Sequence, residues 1–169
     1  DYFSKIENPV GIKFSSKADM DELVEIIRIL NPENEKGKII LIHRFGISEI
    51  SKLENYIRKI HNKKLNLSWC SDPMHGNIKN ADGIKTRDFS DILSELKSAF
   101  EIHSKSKSIL SGVHFELTGD EVTECVGGAS EIGHADLPQN YETYCDPRLN
   151  YSQSMEMAFL ISQMLSSKK

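Results

Sequence analysis

Four polar residues recur along this chain at intervals that a repeating fold would produce. Lys13 and Arg44 lie 31 residues apart, Arg44 and His75 another 31, and Glu116 follows after 41. Their types suit one kind of chemistry. A lysine and an arginine supply cations for phosphate or carboxylate groups, the arginine as a planar fork. A histidine and a glutamate are donors for a divalent transition metal. Each has an ordinary explanation alone: strand-end charges for Lys13 and Arg44, a loop histidine for His75, a surface acid for Glu116. Four at a near-constant interval ask for a common cause.

The elements between them supply it. Val10–Phe14 reads as a short strand. Met20–Leu30 follows as a helix, with Leu23, Ile26, Ile27 and Leu30 at helical spacing, Asp19 as N-cap and Glu22 in the capping position. Asn31-Pro32 ends it. Lys38–His43 is a continuous apolar strand of the kind buried on both faces. Ser48–His61 is a helix with Ile50, Leu53, Ile57 and Ile60 on one side. A third strand is expected over Leu65–Cys70, then a loop from Asp72 to Arg87. A helix follows from Asp88 to Ser104, with Ile92, Leu93, Leu96 and Phe100 inward. The fourth strand is expected over Gly112–Leu117, then a long Gly-rich, acidic connection to Asn150. The last helix is Ser152–Leu165, its apolar residues Met155, Phe159, Leu160 and Met164. Strand–helix repeated four times predicts an α/β fold with parallel strands. A βα unit takes about 30 residues, so each unit delivers one chemical side chain to the C-terminal rim of the sheet, where such folds assemble sites.

Composition excludes several alternatives. The chain has 169 residues, 38% hydrophobic, with 21 basic and 25 acidic residues for a net charge of −4. That is one domain over residues 1–169, too apolar and too weakly charged to be disordered. No window reaches the ~18 apolar residues of a membrane span, and no secretory signal is visible, so a cytoplasmic location is expected. Without a basic block or an interleaved aromatic stripe, nucleic acid is not an expected partner. Three scattered cysteines make no disulfide framework.

Short motifs add specificity. Asn8-Pro9-Val10-Gly11-Ile12-Lys13, Asp72-Pro73-Met74-His75-Gly76-Asn77, Phe115-Glu116-Leu117-Thr118-Gly119, Val122-Thr123-Glu124-Cys125-Val126-Gly127-Gly128 and Cys145-Asp146-Pro147-Arg148-Leu149-Asn150 occur in that order. Together they closely resemble class II 3-deoxy-D-arabino-heptulosonate 7-phosphate (DAHP) synthase, the first enzyme of the shikimate pathway, over about Asn8 to Leu165.

The resemblance implies a (β/α)₈ barrel that condenses phosphoenolpyruvate with erythrose 4-phosphate and releases phosphate. It implies a divalent metal, Mn²⁺ or Co²⁺ ahead of Zn²⁺ or Fe²⁺, held here by His75, Glu116 and Asp146, with a fourth, cysteine ligand upstream. Lys13 and Arg44 match residues that hold phosphoenolpyruvate, so Lys13, Arg44 and His75 form the expected catalytic set. Lys85 and Arg87 match the loop that contacts the erythrose 4-phosphate phosphate; without the resemblance, Lys-x-Arg would read as a solvated basic loop. Glu116 is the most persuasive ligand on physical grounds, because a carboxylate inside an apolar strand is costly unless paired or metal-bound. Asp146 could otherwise cap a turn before Pro147. His114 is expected to position Glu116 as a neighbour on the same strand face. His43 stands where the family has a small residue; it, His61, His103 and His134 read as structural. Cys145 reads as a free thiol, Cys70 and Cys125 as buried small residues, Trp69 as core, and Gly127-Gly128 as a turn.

A complete barrel needs about 250 residues and eight strands, and the pattern here provides four. The expectation is the C-terminal half of the barrel, strands five to eight, with the absent initiator Met and abrupt apolar start reading as a cut. Two open edges and a bare inner face would favour a homo-oligomer or union with an N-terminal half-barrel. On this reading the isolated chain is inactive. The competing reading is a non-catalytic half-barrel, a metal- or phosphate-binding or assembly module.

Overall fold

Strand β1 (Val10–Phe14) is followed by helix α1 (Met20–Leu30). The computed structural model describes residues 2–166; Asp1 and residues 167–169, with most of the polar tail, lie outside the described residues. Asp19 caps α1 as its sequence position suggests: its carboxylate accepts the backbone N–H of Asp21 and Glu22 at 2.8 and 2.9 Å. Leu23, Val24 and Ile27 are buried, whereas Ile26 is exposed.

Strand β2 (Ile39–His43) leads through a 3-10 turn at Ile50–Lys52 into helix α2 (Leu53–Asn62). The expected face Ile50, Leu53, Ile57 and Ile60 is buried. Two-sided burial of β2 is not observed. Ile39, Leu41 and His43 are buried, but Ile40 and Ile42 are half-buried, because helices cover only one side of the sheet.

Strand β3 (Ser68–Ser71) starts later than expected. The expected loop after it contains a hairpin, strands β4 (Lys79–Ala81) and β5 (Ile84–Thr86), paired antiparallel with Ala81 opposite Ile84. Asp82 and Gly83 form its turn, with φ of 51° and 88°. Two positive-φ residues are the type I′ geometry that matches strand twist, and Asp-Gly is a sequence suited to it. Helix α3 (Phe89–Lys105) follows, then strand β6 (Leu110–Val113). This strand ends before Glu116, so the expectation that Glu116 lies within a strand is corrected. Beyond it, Leu117 forms only an isolated bridge with Leu149.

After a 3-10 turn at His134–Gln139, helix α4 (Tyr151–Ser166) closes the described chain. Its inward residues are Met157, Leu160, Ile161 and Met164; Met155 and Phe159, expected with them, are exposed. The helix is apolar on more than one side, so periodicity alone does not select the buried face.

Strands β1, β2, β3 and β6 form one parallel sheet in that order. One core lies under β1–β3 against α1, α2 and α3, with Phe14, Leu41, Leu53 and Trp69. A second joins α3 and α4 through Ile92, Leu96, Leu149 and Met157. On the other sheet face, register places Lys13, Ile42, Cys70 and Gly112 in one row.

Candidate metal centre

The rim forms where backbone pairing continues one residue past each strand. Arg44 N donates to Phe14 O at 3.0 Å, Asp72 N to His43 O at 2.8 Å, and His114 N to Ser71 O at 2.8 Å. The next side chains therefore emerge at the C-terminal edge, beside Lys13 at the end of β1.

Asp72 organises this edge, a role unread in the sequence beyond its place in a motif. It is fully buried and accepts the backbone N–H of Met74 and His75 at 3.1 and 3.2 Å. Its Oδ2 lies 2.7 Å from His75 Nδ1 and 3.0 Å from Lys13 Nζ. Burial opposes ionisation, but the hydrogen bonds from His75 and Lys13 hold its carboxyl below the usual value. Lys13 also approaches His114 Nε2 at 3.0 Å. His114 thus meets Lys13, rather than acting on Glu116 from a shared strand face.

With Nδ1–H given to Asp72, His75 presents its Nε2 lone pair outward. Nε2 faces Glu116 Oε1 at 3.2 Å and Asp146 Oδ2 at 3.5 Å. One donor atom from each of His75, Glu116 and Asp146 lies within 4.8 Å of the others. An imidazole lone pair aimed at two carboxylates is repulsive unless a proton or cation sits between them. A carboxylate behind the imidazole is the usual support of a metal-bound histidine. One nitrogen and two oxygen donors fit a divalent first-row metal. Glu116 Oε2 is paired with Arg87 Nη1 at 2.7 Å, which leaves Oε1, the atom facing His75, as the oxygen open to a metal.

Arg87 and Lys85, expected together at a phosphate, are placed differently. Arg87 is fully buried, and its guanidinium binds Met74 O at 2.9 Å and Pro147 O. It pairs with Glu116 and lies 3.9 Å from Asp146 Oδ2. A guanidinium enclosed this way backs the two carboxylates and is not open to a phosphate from solvent. Lys85, on β5, is exposed and pairs with Asp146. That bond, helped by Arg87 and His75 nearby, holds the Asp146 carboxyl below its usual value against partial burial. Arg44 is exposed and forms no ion pair with a described residue.

Asp146 has no strand beneath it. Its loop hangs on Glu124, a fully buried carboxylate. Glu124 accepts the backbone N–H of Glu142, Thr143 and Arg148 at 3.2, 2.9 and 2.7 Å. Arg148 adds Nε at 3.0 Å and Nη2 at 2.6 Å. Burial opposes ionisation of Glu124, and Arg148 more than offsets it.

The remaining sequence expectations divide. Trp69 and Cys125 are buried, and burial pushes the Cys125 thiol up to about 12. Cys70 is only half-buried because it lies on the bare sheet face, and Cys145 is an exposed free thiol. Gly127 and Gly128 both have positive φ in a turn. His43 is fully buried with neither ring nitrogen hydrogen-bonded, stacked 5.9 Å from His103. Burial, then the neighbouring His103, pulls its pKa down to about 3.

Comparison with known proteins agrees with the motif order. The model of the class-II DAHP synthetase family matches residues 1–162. Phospho-2-dehydro-3-deoxyheptonate aldolases from Neurospora crassa and Streptomyces coelicolor are 45% and 46% identical over 166 residues, covering 96% and 97% of this chain. One from Mycolicibacterium smegmatis is 41% identical over 162 residues, covering 95%. The chain spans about a third of the length of these curated relatives: 34%, 37% and 35%. With matched residues running through every strand and every rim residue described above, the chain belongs to the class-II DAHP synthetase family.

Proposed function

We propose that this chain is the C-terminal part of a 3-deoxy-7-phosphoheptulonate synthase, the last four strand–helix units of a (β/α)₈ barrel. The whole enzyme would condense phosphoenolpyruvate, erythrose 4-phosphate and water to DAHP and phosphate in the cytoplasm. The observation that carries this reading is the convergence of His75, Glu116 and Asp146 in a chain of this family. His75, Glu116 and Asp146 would hold Mn²⁺ or Co²⁺, with a cysteine from upstream as fourth ligand. When bound, the ion supplies Lewis-acid polarisation of the aldehyde oxygen.

The chain's own residues would do the rest. Asp72 fixes His75 with Nε2 toward the two carboxylates. Lys13 and the exposed Arg44 offer cations to the phosphate and carboxylate of phosphoenolpyruvate. Lys85, exposed on its hairpin, can leave Asp146 for the erythrose 4-phosphate phosphate. Arg87 keeps Glu116 and Asp146 aimed at the cluster.

The bare sheet face and the edges β1 and β6 support an N-terminal half-barrel as partner. An apolar hollow of about 200 Å³, lined by Val113, Phe115, Leu149, Met157 and Ile161, lies between the end of β6 and α4. The second reading, a non-catalytic half-barrel, is favoured by one observation: the cluster has three protein donors among the described residues.

Mn²⁺ titration of the chain, followed by electron paramagnetic resonance, tests the site. Binding is expected, and His75→Ala or Glu116→Ala should abolish it; unchanged affinity in both variants defeats the ligand assignment. Phosphate release tests the fragment reading. The chain with Mn²⁺ and both substrates should be silent until the preceding part of the barrel is added. Release by the chain alone would overturn the half-barrel view, and silence of the reunited protein would favour the second reading.

A further inference from the structure

We propose that Glu95, on the core side of the sheet, is a positioning residue that holds the Arg44 turn and the His75 turn at a fixed separation. It rests on the functional reading of Arg44 and His75, and its structural content can be tested apart from that reading.

Glu95 is an acid where helix α3 should be apolar, and it is fully buried. No lysine or arginine neutralises it among the described residues. Its partners belong to two rim turns instead. Oε1 accepts Phe45 N at 3.3 Å, in the turn that begins with Arg44. Oε2 accepts Asn77 Nδ2 at 2.6 Å, in the turn that carries His75. Asn77 extends the bridge in both directions: Nδ2 also donates to Pro73 O at 2.8 Å, and Oδ1 accepts Ile47 N at 2.9 Å. The two turns touch through Gly46 and Gly76, where a Cβ on either residue would overlap the other's backbone.

The arrangement is selective. A buried carboxylate is costly unless several donors converge on it, and the donors here come from just those two turns. An apolar residue at position 95 would serve the packing of α3 as well but would leave Phe45 N unpaired and Asn77 Nδ2 with Pro73 O alone. Through Phe45 and Asn77 the carboxylate sets how far Arg44 stands from His75, without touching either side chain.

The test compares Glu95→Gln with Ile92→Val, which trims one buried methyl from the same helix. Amide hydrogen exchange, normalised to global stability, is followed at Phe45, Ile47, His75 and Asn77. Glu95→Gln keeps the shape but turns an amide toward a donor. It should speed exchange in both turns together by about ten-fold, while Ile92→Val leaves both protected. Mn²⁺ affinity should fall by about ten-fold in Glu95→Gln, as for other residues behind a metal ligand, and stay unchanged in Ile92→Val. If Glu95→Gln does not fold, Asn77→Ala removes the same bridge from the other side and should act alike. Equal exchange in Glu95→Gln and Ile92→Val, or loosening of one turn only, overturns the proposal. A wild-type chain that binds no Mn²⁺ would remove the metal reading, and the exchange data would still decide whether Glu95 couples the turns.

Discussion

Residues 10–62 and residues 114–150 hold their rim side chains by opposite means. In the first segment, Lys13 and Arg44 stand at the ends of parallel strands, above a core of Phe14, Leu41, Leu53 and Trp69. The sheet ladder carries their backbone as far as Arg44, and side chains hold only the turn beyond it, through Glu95 and Asn77. In the second, Glu116 and Asp146 sit on irregular chain tied down by side-chain-to-backbone bonds, above all those of Glu124. The contrast separates stability from geometry. Damage to the first segment should cost stability spread over the sheet. Damage to the second should move a proposed ligand directly.

Glu124→Ala should give the largest effect. It leaves three backbone N–H groups without their acceptor and a part-exposed Arg148 without its partner; at about 1–3 kcal/mol for each buried donor left unsatisfied, the loss should be several kcal/mol. Urea denaturation would measure the loss. Mn²⁺ affinity of the remaining folded protein should also fall, because the Asp146 loop loses its anchor. Leu41→Ala is the counterpart. It opens a cavity under the sheet and should cost about 2–5 kcal/mol, with the affinity of the folded fraction intact. Loss of affinity in Leu41→Ala, or its retention in Glu124→Ala, would break the comparison.

A smaller effect comes from two buried titratable groups beneath the rim. The pKa of His43 is lowered to about 3, so between that value and about 6.5 the unfolded chain binds the extra proton. Its contribution to stability is present above 6.5 and lost as pH falls toward 3. Glu95 runs the other way. Burial, added to by the Asp72 charge and opposed by its hydrogen bonds, raises its pKa to about 7. Its contribution is present below about 4.5 and lost as pH rises through 7. The two slopes oppose each other between pH 4.5 and 6.5, so these groups should leave the wild type nearly flat there. Glu95→Gln should expose the His43 slope, with stability rising by about 1 kcal/mol per pH unit. His43→Leu should expose the reverse slope. Parallel curves for all three proteins would show that neither group titrates on unfolding.

The same division governs how much was legible in the sequence. Ile39–His43 and the 3.6-residue pattern of α2 announce themselves, because apolar periodicity reports a core directly. The equal spacing of Lys13, Arg44 and His75 reflects their places at or just past the ends of β1, β2 and β3 in one parallel sheet. The fourth strand was displaced because Ser111 and Gly112 are poor strand formers, and pairing with β3 overrides that preference. Asp72, Glu95 and Glu124 were not legible as supports. Whether a carboxylate is buried depends on donors from distant segments: Lys13 for Asp72, Phe45 for Glu95, Arg148 for Glu124. The burial of Arg87 was not legible for the same reason, since Lys-x-Arg alone looks like a solvated loop and Glu116 and Pro147 close over the guanidinium from distant segments.

The smallest predicted effect tests a rim side chain that belongs to neither segment. Lys85 is carried by the β4–β5 hairpin, whose register depends on the Asp82-Gly83 turn. The Asp-Gly pair is a local signal for that hairpin in an otherwise polar stretch. Gly83 has φ of 88° with nothing near its missing Cβ, so Gly83→Ala meets no clash and pays only for the left-handed backbone, about 1 kcal/mol. Thermal denaturation should register a small loss, and Mn²⁺ affinity should stay unchanged, because His75, Glu116 and Asp146 lie outside the hairpin. Binding of inorganic phosphate at Lys85 should weaken as the hairpin loosens. A fall in Mn²⁺ affinity would instead mean that the Lys85–Asp146 pair helps hold the ligand loop, making the hairpin a third anchor of the cluster beside Glu124 and Arg87.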